Sequence, residues 1–264
     1  MPWTDLALHV LALLVYPGAV LMLAFGAIAE VGAAVAIDGA GPRAALGSLL
    51  ALRHHALGVP APLLTAALLE VLAATQLAIP FSPVSPVERN LLIAAVALAA
   101  ATWLGWTSGW SPPAARRMLV VHGCWLVALL APAVVAQTLR PAALGAVIVP
   151  SELPLKALSA VLALVCLPAL LQLLPDLSPP PAASRLPRWL PFCGLVVSVL
   201  APPAPDDPGG LLRFAAETAL VAAVAIGLGA LAVRRPQAAE RSARLAAPLA
   251  AVVLAVAAVT SAVT

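Results

Sequence analysis

The chain has 264 residues, of which 63% are hydrophobic and only 9% are charged. An ordinary soluble domain is roughly 45–50% apolar and about 25% charged, so this composition excludes a soluble enzyme, a nucleic-acid binder and a disordered chain. The formal net charge of +3 is carried by thinly spread arginines that form no basic tract. We therefore expect an all-α polytopic membrane protein that forms a single integral membrane domain over residues 1–264.

Apolar runs close to the roughly 20 residues that a membrane helix needs recur along the chain. The segments between them are rich in proline, glycine, serine and arginine, which is typical of loops outside the hydrocarbon. About eight transmembrane helices are predicted, of which the sixth is short. They lie near Leu6–Ile28, Pro62–Ile79, Leu91–Trp110, Met118–Thr138, Leu155–Leu174, Leu190–Ala201, Leu211–Val233 and Leu245–Val263.

The basic residues are divided unequally between two sets of loops. The loops after the odd-numbered spans hold ten of them, whereas the loops after the even-numbered spans hold four, counting Lys156 at a span edge. Cytoplasmic loops of membrane proteins carry an excess of lysine and arginine. The odd-numbered loops are therefore predicted to be cytoplasmic, with both termini outside.

Residues 41–60, after the first predicted span, are too short and too interrupted to cross a membrane. Leucines at helical spacing oppose Arg53, His54 and His55, a pattern that predicts a short amphipathic helix at the membrane surface. The two histidines can be interpreted as a metal or proton-relay site, or as a surface pair among lipid headgroups. Adjacent helical residues point about 100° apart, which favours the surface pair.

Several ionisable residues lie within the predicted spans, and three of them are candidates for proton transfer. Glu70 is in the middle of the second, Glu217 is in the first two turns of the seventh, and His122 is in the fourth. Such residues usually face the protein interior or a cavity. Each can be interpreted as a proton-relay group or as a structural one. Glu217 can pair with Arg213 one turn earlier, and His122 can be a neutral imidazole bonded to a neighbouring helix.

The sequence shows no motif for catalysis or metal binding. Cys124, Cys166 and Cys193 stand apart inside apolar runs and form neither a CxxC pair nor a Cys/His cluster. There is no P-loop, no GxGxxG and no HExxH. We therefore expect neither a cofactor nor a catalytic centre in this chain, so that any chemistry resides on partner proteins.

Several weak motifs occur in a characteristic order. They are Glu30 near the end of the first span, the turn Gly41-Pro42-Arg43, LAIPFSPVSP at Leu77–Pro86, VVAQ at Val134–Gln137, LPDLSPPPAASRLP at Leu174–Pro187 and the arginine-rich loop Arg234–Arg244. This order resembles the family of membrane subunit 1 of respiratory complex I. It is similar also to the matching membrane-anchor protein of membrane-bound nickel–iron hydrogenases and formate hydrogenlyases.

The resemblance implies a membrane-anchor and coupling subunit of a multi-subunit complex in a bacterial cytoplasmic (inner) membrane. Such a protein docks a soluble redox module onto antiporter-like membrane subunits, with iron–sulfur or nickel–iron centres on the partners, and contacts lipid rather than nucleic acid. The candidate proton-path residues are Glu70, Glu217, His122 and Glu30. The candidate partner-docking residues are Arg43, Arg53, Arg116, Arg117, Arg185, Arg188, Arg234 and Arg235.

The chain also departs from this family. Leu174–Leu186 keeps Pro175 and Asp176 but has proline and alanine where the family carries glutamates. This difference favours an anchor with a reduced proton and quinone path over a pump. The main alternative is a stand-alone small-molecule or ion transporter, which predicts an internal repeat; none is convincing between residues 1–132 and 133–264. A membrane enzyme acting on lipids would need clustered acids that the cytoplasmic loops lack.

Overall fold

The computed structural model describes Ala7, Val10, Leu11 and residues 13–51, 61–82, 84–105, 111–146, 150–174, 185–203 and 208–263. No strand occurs among these residues. The helices are α1 (Ala19–Ile37), α2 (Pro42–Ala51), α3 (Ala61–Thr75), α4 (Leu91–Leu104), α5 (Pro112–Val135), α6 (Pro141–Ala146), α7 (Leu153–Leu170), α8 (Trp189–Leu200), α9 (Pro208–Arg234) and α10 (Pro236–Val263). Short 3₁₀ turns, Pro150–Glu152 and Leu186–Arg188, precede α7 and α8.

The described residues contain five helices that are long and apolar enough to cross a membrane, which confirms the predicted all-helical membrane character. These are Ala19–Ile37, Pro112–Val135, Pro150–Leu170, Gly209–Arg234 and Arg244–Ala262. Three shorter apolar helices, Ala61–Thr75, Leu91–Leu104 and Leu186–Leu200, coincide with the other predicted spans. Helices α3 and α4 are only about 22 and 21 Å long, against a hydrocarbon thickness of about 30 Å.

The first long helix lies further along the chain than hydropathy predicts. It spans Ala19–Ile37 and overlaps the predicted Leu6–Ile28 from Ala19 onward, while the described residues Ala7, Val10, Leu11, Leu13 and Leu14 before it are also helical. Gly18, after Pro17, has an extended backbone and serves as the N-cap, and the apolar residues then continue to Asp38. As a consequence, Glu30 lies well inside α1 and is 4% exposed, instead of standing just beyond its end.

Helix α2 occupies the first half of the segment for which a surface helix is predicted. It covers Pro42–Ala51 and packs against α1, and most of its residues are exposed while Ala45 is buried. The second half, residues 52–60 with Arg53 and the two histidines, lies outside the described residues. The predicted contact with the membrane surface stays a prediction.

Helix α8 lies at the centre of the fold although it is one of the shortest helices. Eleven of its twelve residues are buried, and it packs against α1, α3, α4, α5, α6, α7 and α9. Helices α5, α7 and α10 pack on one another, while α3 pairs with α4 and α1 packs against α9. At about 18 Å, α8 is shorter than the hydrocarbon thickness of about 30 Å.

The loop between α3 and α4 is held by Arg89, which is 2% exposed. Its Nε donates to the Val84 carbonyl at 2.9 Å, and its Nη1 donates to the carbonyls of Leu77 and Ile79 at 3.0 and 3.1 Å. Buried carbonyls without partners would be unfavourable. The guanidinium thus fixes a proline-rich loop that cannot bond to itself as a helix does.

Two long helices end in the same way, with a glutamine in the left-handed region. Gln137 follows α5 with φ 50°, and Gln172 follows α7 with φ 57°. The amide of Thr138 bonds to the carbonyl of Ala133 at 3.0 Å, and that of Gln137 to Val134 at 3.1 Å, which is the pattern of a Schellman motif. Glycine is the usual residue at this position, because a Cβ disfavours positive φ.

Replacing Gln137 by glycine is expected to stabilise the protein by about 1 kcal/mol, because the backbone strain is removed. The measurement is the Tm of the full chain in detergent. Gln137→Ala is the matched control: it removes the amide but keeps Cβ, so no gain is expected. Equal Tm values for the two variants would show that the backbone conformation is not the cause.

Candidate functional site

A buried ion pair joins the middle of α3 to the residue before α8. The Nε of Arg188 lies 2.8 Å from the Oε1 of Glu70, and each side chain is only 1% exposed. Of the predicted proton-path residues, Glu70 is therefore the most deeply buried with a charged partner. An isolated carboxylate or guanidinium at this burial would be very unfavourable, so each group requires the other.

A second ion pair lies beside the first. The Nη2 of Arg185 is 2.7 Å from the Oε2 of Glu30, and the indole Nε1 of Trp189 donates to its Oε1 at 2.8 Å. Both oxygens of the Glu30 carboxylate thus have a donor. Together we call Glu30, Glu70, Arg185, Arg188 and Trp189 the charged cluster; its formal charges balance.

The 3₁₀ turn Leu186–Arg188 brings both arginines to the carboxylates by packing against α1 and α3. Two glycines make this approach possible. A Cβ on Gly26 of α1 would overlap the Leu186 carbonyl, and one on Gly105 would overlap the Arg188 guanidinium. The segment therefore lies directly against the backbone of α1, which only glycine at position 26 permits.

Aromatic rings surround His122 close to the charged cluster. The His122 ring lies 6.1 Å from Trp103 and 6.4 Å from Trp125, whose ring is 5.2 Å from Phe192. The His122 Nδ1 bonds to the Met118 carbonyl at 3.2 Å in the same helix, whereas the structural alternative considered from the sequence is a bond to a neighbouring helix. A carbonyl only accepts, so Nδ1 is the donor in this contact, and Nε2 has no partner among the described residues.

Glu217 lies apart from the charged cluster, on α9. Its Oε1 accepts from the Nε of Arg213 at 2.7 Å, one turn earlier, which is the pairing considered from the sequence. The two side chains are 30% and 58% exposed. Solvent or lipid headgroups screen such a pair, so its effect on stability is small.

A cavity of about 360 Å³ with both apolar and polar lining residues opens beside the charged cluster at the end of α1. Its polar lining consists of Glu30, Asp38, Gln172 and Arg185. Glu30 and Arg185 thus belong both to the ion pair and to the cavity wall. The cavity gives a small polar ligand or water access to the Glu30 side of the charged cluster.

The predicted docking arginines fall into two groups. Arg43, Arg116, Arg234 and Arg235 are exposed and Arg117 is partly exposed, while Arg53 lies outside the described residues. Arg185 and Arg188 instead point into the protein, because each meets a carboxylate from an earlier helix. If these two and the buried Arg89 are removed from the topology count, basic residues still divide eight against three.

The described residues contain no group of three or more His, Cys, Asp or Glu that could hold a metal ion. Cys124, Cys166 and Cys193 are buried free thiols in separate helices. The arrangement that the structure offers is thus electrostatic: two ion pairs, and a cavity whose wall includes four polar side chains. No protein-family model matches the chain, and no curated protein is significantly similar to it.

Both carboxylates are recognisable from the sequence, but their partners are not among the residues predicted to meet them. Arg185 and Arg188 are predicted to lie in a cytoplasmic loop, and Trp189, which is 0% exposed, binds Glu30 in the interior. A usable signal is present: two arginines three residues apart stand directly before an apolar run too short to span. Arginine at that place has to pair within the membrane or reach its surface.

Proposed function

We propose that the chain is a membrane-anchor and coupling subunit of a multi-subunit complex similar to complex I or to membrane-bound hydrogenases. In this proposal it docks a cytoplasmic redox module onto antiporter-like membrane subunits. The observation that supports it most directly is the charged cluster. It ties the central helix α8 to α1 and α3 through two ion pairs, at a place where a purely structural domain would more simply use apolar packing.

The position of the cavity gives the proposed coupling a physical route. Asp38 and Arg185 line it and lie next to the chain segments that the arginine distribution predicts to be cytoplasmic. A partner protein that binds these segments would displace Arg185. The ion pair would then transmit this displacement to Glu30 in α1. The eight predicted crossings, the reduced proton and quinone path and the inner-membrane location belong to the same proposal.

Affinity purification of the tagged chain from its own membranes in mild detergent tests the proposal. We expect mass spectrometry to find a large redox subunit and antiporter-like membrane subunits. A quadruple variant that removes four of the predicted docking charges is expected to release the redox module while the membrane partners stay bound. Its substitutions are Arg116→Gln, Arg117→Gln, Arg234→Gln and Arg235→Gln. The matched control is Arg140→Gln, an exposed arginine on the opposite predicted face. A chain that purifies stably without companions would contradict the proposal.

A stand-alone transporter is the second candidate, favoured by the cavity lined by Glu30, Asp38, Gln172 and Arg185. Substrate sites of transporters lie where helices are interrupted inside the membrane, and α8 begins there. Under this candidate the purified chain alone catalyses uptake into proteoliposomes. The same purification therefore separates the two functions.

A further inference from the structure

We propose that a second pocket, at the opposite end of α3 from the first cytoplasmic loop, binds a phosphate group. Residues 87–90, before α4, and 137–140, after α5, line this pocket, which has a volume of about 550 Å³. The phosphate is carried by a phospholipid headgroup or is free in solution. This inference does not rest on the proposed function, because it concerns neither the charged cluster nor a partner subunit.

The first argument is the charge of Arg89. Its side chain is buried and bonds three backbone carbonyls, yet no carboxylate pairs with it among the described residues. Burial lowers the pKa of the Arg89 guanidinium, but the ordinary value lies so far above neutral pH that the group stays charged. A buried cation that lines a polar pocket without a counter-ion favours an anion in that pocket.

The second argument is that a second arginine and a helix N-terminus also bring positive potential to this pocket. Arg140, which is exposed, also lines the pocket. Helix α4 points its N-terminus there, and its first amides are already bonded to the Leu139 carbonyl and the Asn90 side chain. The helix therefore contributes its dipole to the pocket and Arg89 its charge, while Arg140 supplies the hydrogen-bond donors.

The third argument is the position of the pocket relative to the membrane. It favours a phospholipid headgroup over free phosphate as the ligand. The pocket lies between the beginning of one apolar helix and the end of another, where the chain leaves the hydrocarbon and meets the headgroups. Val87 and Leu139, which line it, are 60% and 39% exposed. An apolar flank next to the Arg140 guanidinium matches a phosphodiester with its acyl chains more closely than a free phosphate.

The pocket lining includes one acidic residue, and its removal should change phosphate binding in the opposite direction from the removal of an arginine. Glu88 is exposed and opposes an anion at this place. Removing its charge is therefore expected to strengthen phosphate binding, whereas removing the charge of Arg140 weakens it. A merely structural role of these two side chains would not give effects of opposite sign.

The experiment uses the full chain with any companions that purify with it, stripped of lipid in detergent, and measures binding by native mass spectrometry. The probes are a short-chain phosphatidylglycerol, a diacylglycerol of the same chain length, and inorganic phosphate. Arg140→Gln is expected to weaken phosphatidylglycerol binding about fivefold and Glu88→Gln to strengthen it about twofold, the range of one exposed charge contact. The control Arg116→Gln, at a different helix end, is expected to change it less.

Each probe has a defined meaning. Competition by inorganic phosphate supports the site and identifies free phosphate as a ligand, whereas binding of phosphatidylglycerol without such competition supports the lipid headgroup. Equal binding of phosphatidylglycerol and diacylglycerol would overturn the proposal, and so would equal effects of Arg140→Gln and Arg116→Gln. Both substituted side chains at the pocket are exposed, so a failure to fold does not obscure the result.

Discussion

Replacing Arg188 by leucine is expected to lower the free energy of unfolding by about 3–5 kcal/mol. The variant leaves the Glu70 carboxylate buried without the guanidinium that lies 2.8 Å from it. The desolvation of that charge is then uncompensated, and the turn Leu186–Arg188 loses its main attachment to α3. The effect is measured as the loss of Tm of the full chain in detergent, followed by the helical circular dichroism signal.

Two further variants distinguish this cause from a general effect of the substitution. The double variant Arg188→Leu/Glu70→Leu is expected to recover most of the lost stability, because paired apolar side chains can replace a buried ion pair. Arg213→Leu removes the matched but exposed partner of Glu217 and is expected to leave the Tm nearly unchanged. If Arg188→Leu is no worse than Arg213→Leu, the buried pair does not hold α8 in place.

The second large effect is expected for Gly26→Ala. The added Cβ would overlap the backbone carbonyl of Leu186, which cannot move aside as a side chain can. Overpacking of this kind destabilises by about 1–3 kcal/mol or more, and here it also separates both arginines from their carboxylates. We expect a loss near the upper end of that range, again measured as Tm of the full chain.

Gly32→Ala, in the same helix, is the matched control. Its added Cβ would meet only the Cδ1 of Ile226, at an ordinary 3.5 Å, so the higher helix propensity of alanine is expected to dominate. Gly26→Ala and Arg188→Leu together are expected to be less than additive, since both undo the same packing of Leu186–Arg188. Full additivity would show that the glycine and the ion pair act separately.

The positions of the helices could be predicted because hydropathy along the chain is a local property. Every predicted span overlaps a long or short apolar helix of the structure. Start signals are also readable: Ser111 accepts from the Ala114 amide and Pro112 begins α5, although hydropathy alone predicts that span from Met118. The first predicted span runs across an interruption at Pro17 and Gly18, which hydropathy does not register.

Only the carboxylates of the candidate site, and not their arginine partners, could be predicted from the sequence. The carboxylates are recognisable because acids are rare in apolar runs, whereas an arginine beside a proline-rich segment looks like an ordinary loop residue. Glu70 and Arg188 are 118 positions apart, and Glu30 and Arg185 are 155 apart. No periodicity links such positions, and the glycine contact that brings them together depends on how α1 packs in three dimensions.

The order of the charged residues along the chain has a consequence for biogenesis. Glu30 and Glu70 are synthesised long before Arg185 and Arg188, so their helices are available when the α8 segment leaves the ribosome. That segment is short and follows two arginines, and on its own it would insert poorly. In the proposed topology of eight crossings, its retention in the bilayer would depend on the two earlier carboxylates, so that the sixth apolar segment would be inserted through contacts with α1 and α3 and not by its own hydropathy alone.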